Sequence, residues 1–425
     1  MSPLGLAHWT VLSTAGGAGL AWLALRRPTA LLCLVLATFC VGPQWVFAER
    51  AAPALLAWAM PAQMLLLLAA LLANAARYGV RLDLVNWPLL AVLWLLLQSL
   101  LLADLDPAIT PPALLAAALS FALPWCLMHV ALQPGSRSRY ALLIALLPAL
   151  CAIAGAALDL LEIHPLFAGS KGRGARLQGA SNAGWLAFLA FVGFAIALHE
   201  AVRRRRVDFA CLAALNVAIA ILSGGRMALV AGAILAVTYA FLTPALRARA
   251  PLLGLLALVG TGGLLALFQW PMHELGQDPD RLLDLNGRDR IWLRFLDQFL
   301  VAPMFGRGLG AAEHGASYHH LPHNEYLRLL VDGGLVGALV YGLAALAWAW
   351  RVLDLIRPGE RPFLWALFLA LGVYAFTGNV LIMPAGVLPF LYVAIMRTPS
   401  ARRTRRRSRR RTAGAGDTIR PAPAA

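Results

Sequence analysis

Residues 183–201 read AGWLAFLAFVGFAIALHEA, and this stretch decides the fold. It is apolar over nearly the length that a helix needs to cross a bilayer, about 20 residues. Because lipid offers no partners for backbone amides and carbonyls, a spanning segment satisfies its own hydrogen bonds as a helix. The stretch therefore predicts a membrane-spanning helix.

Similar apolar runs lie on both sides of this stretch. The chain of 425 residues is 60% hydrophobic and 13% charged, and its mean hydropathy is +0.72, which excludes an ordinary soluble protein. The predicted spans are 9–25, 29–47, 54–75, 87–103, 112–132, 140–161, 183–201, 209–222, 227–242, 251–270, 326–350 and a double crossing at 363–396 that turns near 377–379. We expect an all-α polytopic membrane protein with about 12–13 transmembrane helices.

Arginine-rich segments predict the orientation of these helices. The net charge of +16 comes mainly from arginines between and after the apolar runs, as the positive-inside rule expects, so we interpret it as a topology signal and not as nucleic-acid binding. Residues 203–206, 351–361 and a basic disordered tail at 397–425 are expected in the cytoplasm. Residues 162–182, 223–226 and the long loop 271–324 are then expected on the other face. We expect no cleaved signal peptide, and the five cysteines are interpreted as core residues.

The polar residues of that other face include two arginines that suit an anion. Arg226 ends the tight turn that starts at Ser223, and Arg288 lies in the long loop. We expect Arg288 to open an interfacial amphipathic helix with Ile291, Trp292, Phe295, Leu296 and Phe299 on its apolar side. Guanidinium groups match phosphate oxygens, so the pair predicts a diphosphate site at the membrane surface. Alternatively, Arg226 reaches lipid headgroups and Arg288 pairs with Asp284 or Asp289.

His323 is the candidate proton acceptor, because a histidine pKa of about 6.5 suits proton transfer near neutral pH. Metal binding competes with this interpretation, through His314, His319 and His320 or through the acidic pairs Asp104/Asp106 and Asp278/Asp280. Pro322 interrupts any helical metal motif there. We interpret Gly306, Gly308 and Gly310 as a flexible turn, because no strand precedes them as in a nucleotide loop.

Several motifs in this order resemble the O-antigen ligase superfamily. They are Arg176–Asn182, Ser-x-Gly-Arg at 223–226, Gly-Arg-x-x-x-Trp at 287–292, Pro-x-x-Gly-x-Gly at 303–308, and His-Asn-x-x-Leu at 323–327, followed by two glycines at 333–334. The group includes lipopolysaccharide O-antigen ligases, polysaccharide polymerases and protein oligosaccharyltransferases. The first turn reads Ser-Gly-Gly-Arg where many members have a second serine. The resemblance divides the chain into N-terminal helices at 1–161, a catalytic core at 162–396 and the tail.

The resemblance implies a glycosyltransferase of the bacterial inner membrane with its active site facing the periplasm. An undecaprenyl-diphosphate-linked glycan would be the donor and lipid A-core the acceptor in lipopolysaccharide biosynthesis, with inversion and with no metal or other cofactor. Arg226 and Arg288 would hold the diphosphate and His323 would activate the acceptor, while Arg176, Arg290 and Asn324 would bind substrate. The alternatives are a polymerase of the same superfamily and, from another class, a lipid-linked sugar flippase.

Overall fold

The computed structural model describes residues 19–47, 53–82, 85–103, 109–170, 174–252, 254–255, 260, 288–314, 322–378, 380–381 and 383–397. Its named helices are α1 (Pro28–Thr38), α2 (Pro43–Val46), α3 (Pro53–Leu56), α4 (Ala59–Tyr78), α5 (Trp87–Leu101), α6 (Pro111–Leu127), α7 (Arg137–Leu160), α8 (Ala183–Arg204), α9 (Val207–Leu222), α10 (Arg226–Leu242), α11 (Arg288–Val301), α12 (Ala311–His314), α13 (Glu325–Leu355), α14 (Arg361–Ala375) and α15 (Leu388–Met396). Residues 19–26 are also helical.

In the described ranges, five segments are long and apolar enough to cross a membrane: Pro28–Val46, α4, α7, α8 and α13. Shorter apolar helices, including α5, α6, α9 and α10, lie beside them. The protein is therefore a helical membrane protein, as its apolar runs predict. The predicted spans at 9–25 and 251–270 lie largely outside the described residues.

Helix α8, which contains the stretch AGWLAFLAFVGFAIALHEA, is the centre of the bundle. Within its apolar window 78% of the residues are buried, against 33% to 50% in the other four long segments. It begins at the cap Asn182, whose Oδ1 accepts a hydrogen bond from Trp185 N at 2.7 Å, which satisfies an amide that the first helical turn leaves unpaired. It packs against α7, α9 and α10.

The bundle has two ends, which we call the Arg226 end and the Arg137 end. At the Arg226 end, α8 and α10 begin and α9 and α14 end. At the Arg137 end, α7 and α14 begin and α8 ends. There, Arg137 donates to Glu200 at 2.9 Å and to Glu360 at 2.6 Å, and Glu200 also accepts from Arg203, Arg204 and the Tyr392 hydroxyl. We call these six residues the Glu200 cluster.

Residues 162–182 form a feature that the sequence did not predict. Strands β1 (Phe167–Ser170) and β2 (Gly174–Leu177) pair antiparallel, with Ala168 opposite Arg176. The hairpin is too short and too rich in small residues to show a clear alternation of apolar and polar positions. It packs by β2 against α8 and α9 at the Arg226 end.

Helix α13 is broken, although the sequence predicts one continuous span there. Gly334 has φ 62° and ψ −169°, which is not helical. A side chain at this position would place its Cβ 2.4 Å from Met304 O, so only glycine fits the bend. Helix α13 therefore consists of a first segment, 325–333, and a second segment, 335–355, which run in different directions.

Residues 302–310, which the sequence predicts as a flexible turn, instead close this break. The amides of Arg307 and Gly308 donate to Val331 O at 2.8 Å and Asp332 O at 3.1 Å, and Leu335 N donates to Pro303 O at 2.8 Å. Gln98 Nε2, from α5, donates to Phe305 O at 2.8 Å and to Gly333 O at 2.6 Å. The loop is held in place because it satisfies the backbone groups that the bend releases.

Candidate functional site

Arg226 is the first residue of α10 and is partly buried. The turn before it depends on two glycines. Gly224 has φ +62°, and a Cβ on Gly225 would lie 2.3 Å from the Ala187 Cβ of α8. Ser223 is fully buried and donates from Oγ to Ala220 O at 2.9 Å. The turn is thus closely packed on α8, which fixes where the Arg226 side chain begins.

Arg176, on strand β2, holds this turn directly. Its Nε donates to Ser223 O at 2.8 Å and its Nη2 donates to Gly224 O at 3.2 Å. These carbonyls follow the end of α9, where a helix leaves acceptors without intrahelical partners. Arg176 therefore has a positioning role beside Arg226, which the sequence did not predict.

Arg288 is the first described residue of α11, and the helix predicted over this stretch is present. Two helical turns separate it from Phe295, so both lie on the same side of α11. Phe295 is 1% exposed and packs on Ala311, Ala312 and Val331. Arg288 lies close enough to Tyr374, at the end of α14, for its charge to act on the phenol. It therefore faces the bundle.

The rest of α11 corrects two details of the sequence prediction. Leu296, expected on the packed side with Phe295, is 43% exposed. Arg290 is exposed as well, because two residues along an α-helix turn the side chain by about 200°. The structure therefore does not bring Arg290, a predicted substrate-binding residue, to the side of α11 that carries Arg288.

His323 lies immediately before α13, with φ +49°, and it is partly buried. The residues on each side of it are fixed. Trp292 Nε1, on α11, donates to Pro322 O at 3.0 Å, and Asn324 Oδ1 accepts from Tyr326 N at 3.0 Å and from Leu327 N at 3.1 Å. Asn324, a predicted substrate-binding residue, is thus a buried helix cap whose oxygen is already used.

Contacts between neighbouring residues, together with one electrostatic interaction, connect the three predicted catalytic residues. Phe188 follows Ala187, the neighbour of the Arg226 turn, and its ring lies 5.1 Å from that of Tyr374. Tyr374 is the residue on which the charge of Arg288 acts. One helical turn after Arg288, Trp292 contacts Phe376 at 5.5 Å and holds Pro322. The structure thus brings Arg226, Arg288 and His323 to the same end of the bundle.

A buried charged triad that was not predicted from the sequence lies on the first segment of α13 and consists of Glu325, Arg328 and Asp332. The signal was present, because three ionisable residues at a spacing of i, i+3 and i+7 fall on one face of an apolar span. Ionisable groups inside such spans are costly and usually functional. Tyr374, which the sequence does not distinguish from other aromatic residues, was not predicted either.

Among the described residues, no group of three histidine, cysteine, aspartate or glutamate side chains could hold a metal ion. The acidic pairs Asp104/Asp106 and Asp278/Asp280, together with His319 and His320, lie outside the described residues. The His314 side chain is not described either. The histidine and acidic alternatives are therefore not tested by the structure.

The described groups can bind an anion and accept a proton. Arginine offers several donors that fit phosphate oxygens, and a histidine near them can take a proton from a hydroxyl. A scan against protein-family models found no match for this chain, and a search of curated proteins found none either.

Proposed function

We propose that this chain is a metal-independent glycosyltransferase of the bacterial inner membrane. It would move an undecaprenyl-diphosphate-linked glycan to lipid A-core on the periplasmic face, with inversion, as an O-antigen ligase does. The observation that supports this most is that the Arg226 turn, Arg288 and the His323 segment lie at one end of a membrane bundle, linked through Ala187, Phe188, Tyr374 and Trp292.

The chemistry follows from where such a substrate must lie. A polyprenyl tail stays in the bilayer, so its diphosphate reaches a helix bundle near one end. When the glycosidic bond to the diphosphate breaks, negative charge grows on the leaving group. Guanidinium groups of Arg226 and Arg288 that are already in position would stabilise that charge more in the transition state than in the ground state.

His323 would act on the acceptor. Its imidazole would take the proton of the acceptor hydroxyl as that oxygen attacks the anomeric carbon. If the base and the leaving group are on opposite faces of the sugar, the anomeric configuration inverts. The bonds of Pro322 and Asn324 to neighbouring groups restrict the position of His323, which favours such directed proton transfer.

The polymerase alternative requires the same groups and differs only in the acceptor, which would be another lipid-linked repeat. The flippase alternative has one observation in its favour, because transporters often have broken helices and α13 is broken. However, residues 302–310 and Gln98 use the carbonyls of Val331, Asp332 and Gly333. A break closed in this way favours a fixed scaffold over an ion or substrate path.

Purified protein in proteoliposomes, with lipid-linked donor and lipid A-core, tests the proposal. We expect His323→Ala, Arg226→Ala and Arg288→Ala to lower transfer by about 10²-fold or more, with unchanged melting temperatures. Arg290→Ala, two residues from Arg288 on the exposed side of α11, is the matched control and should keep transfer. A chelator should also leave transfer intact.

The same variants in cells separate the alternatives. An inactive ligase leaves full-length unattached glycan on the periplasmic face, an inactive polymerase leaves single repeats, and an inactive flippase leaves donor on the cytoplasmic face. Full transfer by the His323→Ala and Arg288→Ala proteins would contradict the proposal. Loss of activity on chelation that a divalent ion restores would favour the acidic pairs or the histidine group instead.

A further inference from the structure

The buried Arg328 triad, defined as Glu325, Arg328 and Asp332, lies on the first segment of α13. Arg328 and Asp332 are 0% exposed and Glu325 is 7% exposed. Arg328 Nη1 donates to Glu325 Oε2 at 3.2 Å, and its Nε lies 3.8 Å from Asp332 Oδ2. One guanidinium therefore connects two carboxylates along one face of the segment.

Arg328 also attaches this face to α6. Its Nη2 donates to Ser120 Oγ at 2.9 Å, and its guanidinium lies 4.4 Å from the Phe121 ring centre. Phe121 in turn contacts Tyr341, in the second segment of α13, at 5.2 Å. Along a straight helix Arg328 and Tyr341 would be about 20 Å apart. The bend at Gly334 and the contact with Phe121 thus hold the first segment back against the bundle.

The two carboxylates reach beyond α13. Glu325 Oε1 accepts from Leu381 N at 2.7 Å, in the turn that follows α14. Asp332 Oδ1 accepts from Ala312 N at 2.9 Å, in α12. The Arg328 triad therefore joins three segments: the start of α13, two residues after His323, the turn after α14, and the chain that follows α11.

Such a triad is not needed for stability alone. Buried ion pairs are often no more stable than apolar residues of the same shape, because desolvation offsets their attraction. What charged hydrogen bonds supply better than apolar packing is direction, since each needs a defined geometry. The structure thus uses directional bonds at the place where the position of His323 matters.

We infer that Arg328 is a positioning residue that, through Glu325, sets the place of His323 relative to Trp292 and Arg288. His323 lies two residues before Glu325, and Trp292 already holds the Pro322 carbonyl from the other side. Arg328 and α11 therefore fix the histidine segment from two directions. The inference rests on the proposed function, because the position of His323 affects activity only if the reaction takes place at His323.

The decisive experiment compares three changes at the triad. Arg328→Met alone leaves two buried carboxylates uncompensated, so we expect loss of both stability and transfer. The neutral triple variant Glu325→Gln, Arg328→Met and Asp332→Asn removes that charge problem. We expect it to recover the wild-type melting temperature while kcat stays at least tenfold lower and KM changes less than threefold. Arg328→Lys keeps the charge and should recover part of kcat.

Hydrogen exchange gives a measurement that does not need transfer. The Leu381 and Ala312 amides, which donate to the two carboxylates, should exchange at least fivefold faster in the triple variant. The Trp185 amide at the α8 cap should not change, and Arg351→Met, at an exposed position near the other end of α13, should match wild type in every measurement.

Two results would overturn the inference. One is a triple variant that folds with wild-type kcat, and the other is unchanged exchange at Leu381 and Ala312. These differ from failure of the proposed function, which would appear as a wild-type chain without glycan transfer, or as a fully active His323→Ala protein. In that case the inference about His323 falls as well, even if exchange at Leu381 still depends on Arg328.

Discussion

The Glu200 cluster at the Arg137 end and Arg176 at the Arg226 end hold their arginines in different ways. At the Arg137 end, Arg137, Arg203 and Arg204 surround the fully buried carboxylate of Glu200, and Glu360 adds a second carboxylate. At the Arg226 end, Arg176 donates to two carbonyl oxygens, and Arg288 lies near the phenol of Tyr374. The Glu200 cluster thus balances charge with charge, whereas Arg176 donates to the neutral carbonyl oxygens of Ser223 and Gly224.

This difference teaches how one residue type serves two purposes. A carboxylate fixes a guanidinium and cancels its charge, so the Glu200 cluster joins α7, α8, α14 and α15 as a structural clasp. A carbonyl oxygen fixes a guanidinium without cancelling its charge. Arg176 is held in this second way, and the predictions below test the contrast from the largest expected effect to the smallest.

The largest effect is expected from Glu200→Gln, which removes the central charge of the Glu200 cluster. Because three arginines would then share a buried region with only Glu360, we expect the free energy of unfolding to fall by about 3–5 kcal/mol. Thermal unfolding in detergent measures it. The control Asp208→Asn disrupts the exposed pair with Arg206, and it should leave the melting temperature unchanged. Equal effects of the two changes would show that the Glu200 cluster is no more important for stability than an exposed ion pair.

Gly224→Ala should have the next largest effect. The residue has φ +62°, and the new Cβ would lie 2.7 Å from Arg176 Nε. We expect about 1–3 kcal/mol of destabilisation from backbone strain, together with reduced glycan transfer because the Arg226 turn must shift. Gly342→Ala, on α13 with no atom within 4 Å of the new Cβ, is the control. A Gly224→Ala protein with normal melting and transfer would show that the turn tolerates movement.

Arg176→Lys tests the positioning role more gently. Lysine keeps the charge but cannot reproduce the forked donation to Ser223 O and Gly224 O. Loss of one such hydrogen bond costs about 1 kcal/mol of stability, so we expect a small fall in the free energy of unfolding and, because the Arg226 turn is less fixed, a lower rate of transfer. Steady-state kinetics measure this. If Arg176 only supplied charge to the diphosphate, the lysine variant would retain full activity.

The smallest effect is expected from Arg290→Gln. The side chain is exposed on the side of α11 away from Arg288, so transfer should stay within about threefold of wild type, because exposed charges contribute little. Arg288→Gln, measured in parallel, should lose far more. A comparable loss in both proteins would show that substrate contacts both sides of α11.

The sequence predicted the helices better than it predicted their connections. Apolar runs of membrane length gave spans such as 183–201 and 209–222, close to α8 and α9, because lipid imposes one backbone solution on such runs. Helix α14 ends at Ala375 and α15 begins at Leu388, on either side of the turn predicted near 377–379, whose last residue lies outside the described part of the chain. For these helices, local composition was sufficient for the prediction.

The break in α13 and the loop that closes it were not predictable in the same way. Two glycines in an apolar run are compatible with a continuous helix, and the hydrogen bond that fixes Phe305 comes from Gln98, 207 residues earlier. For the candidate site, the sequence motifs predicted the residue types. The contacts that hold these residues in place were visible only in the structure. Helical periodicity could have separated Arg288 from Arg290, because two residues point to opposite sides of a helix.

The Glu200 cluster has a consequence for the order of assembly during synthesis. Arg137 is bonded to Glu360, which follows it by 223 residues. A ribosome that makes the chain from its amino terminus delivers α7 to the membrane long before that counter-ion exists. Glu200, made 63 residues after Arg137, can pair with it first, and the clasp is complete only after Glu360 and Tyr392 have been made.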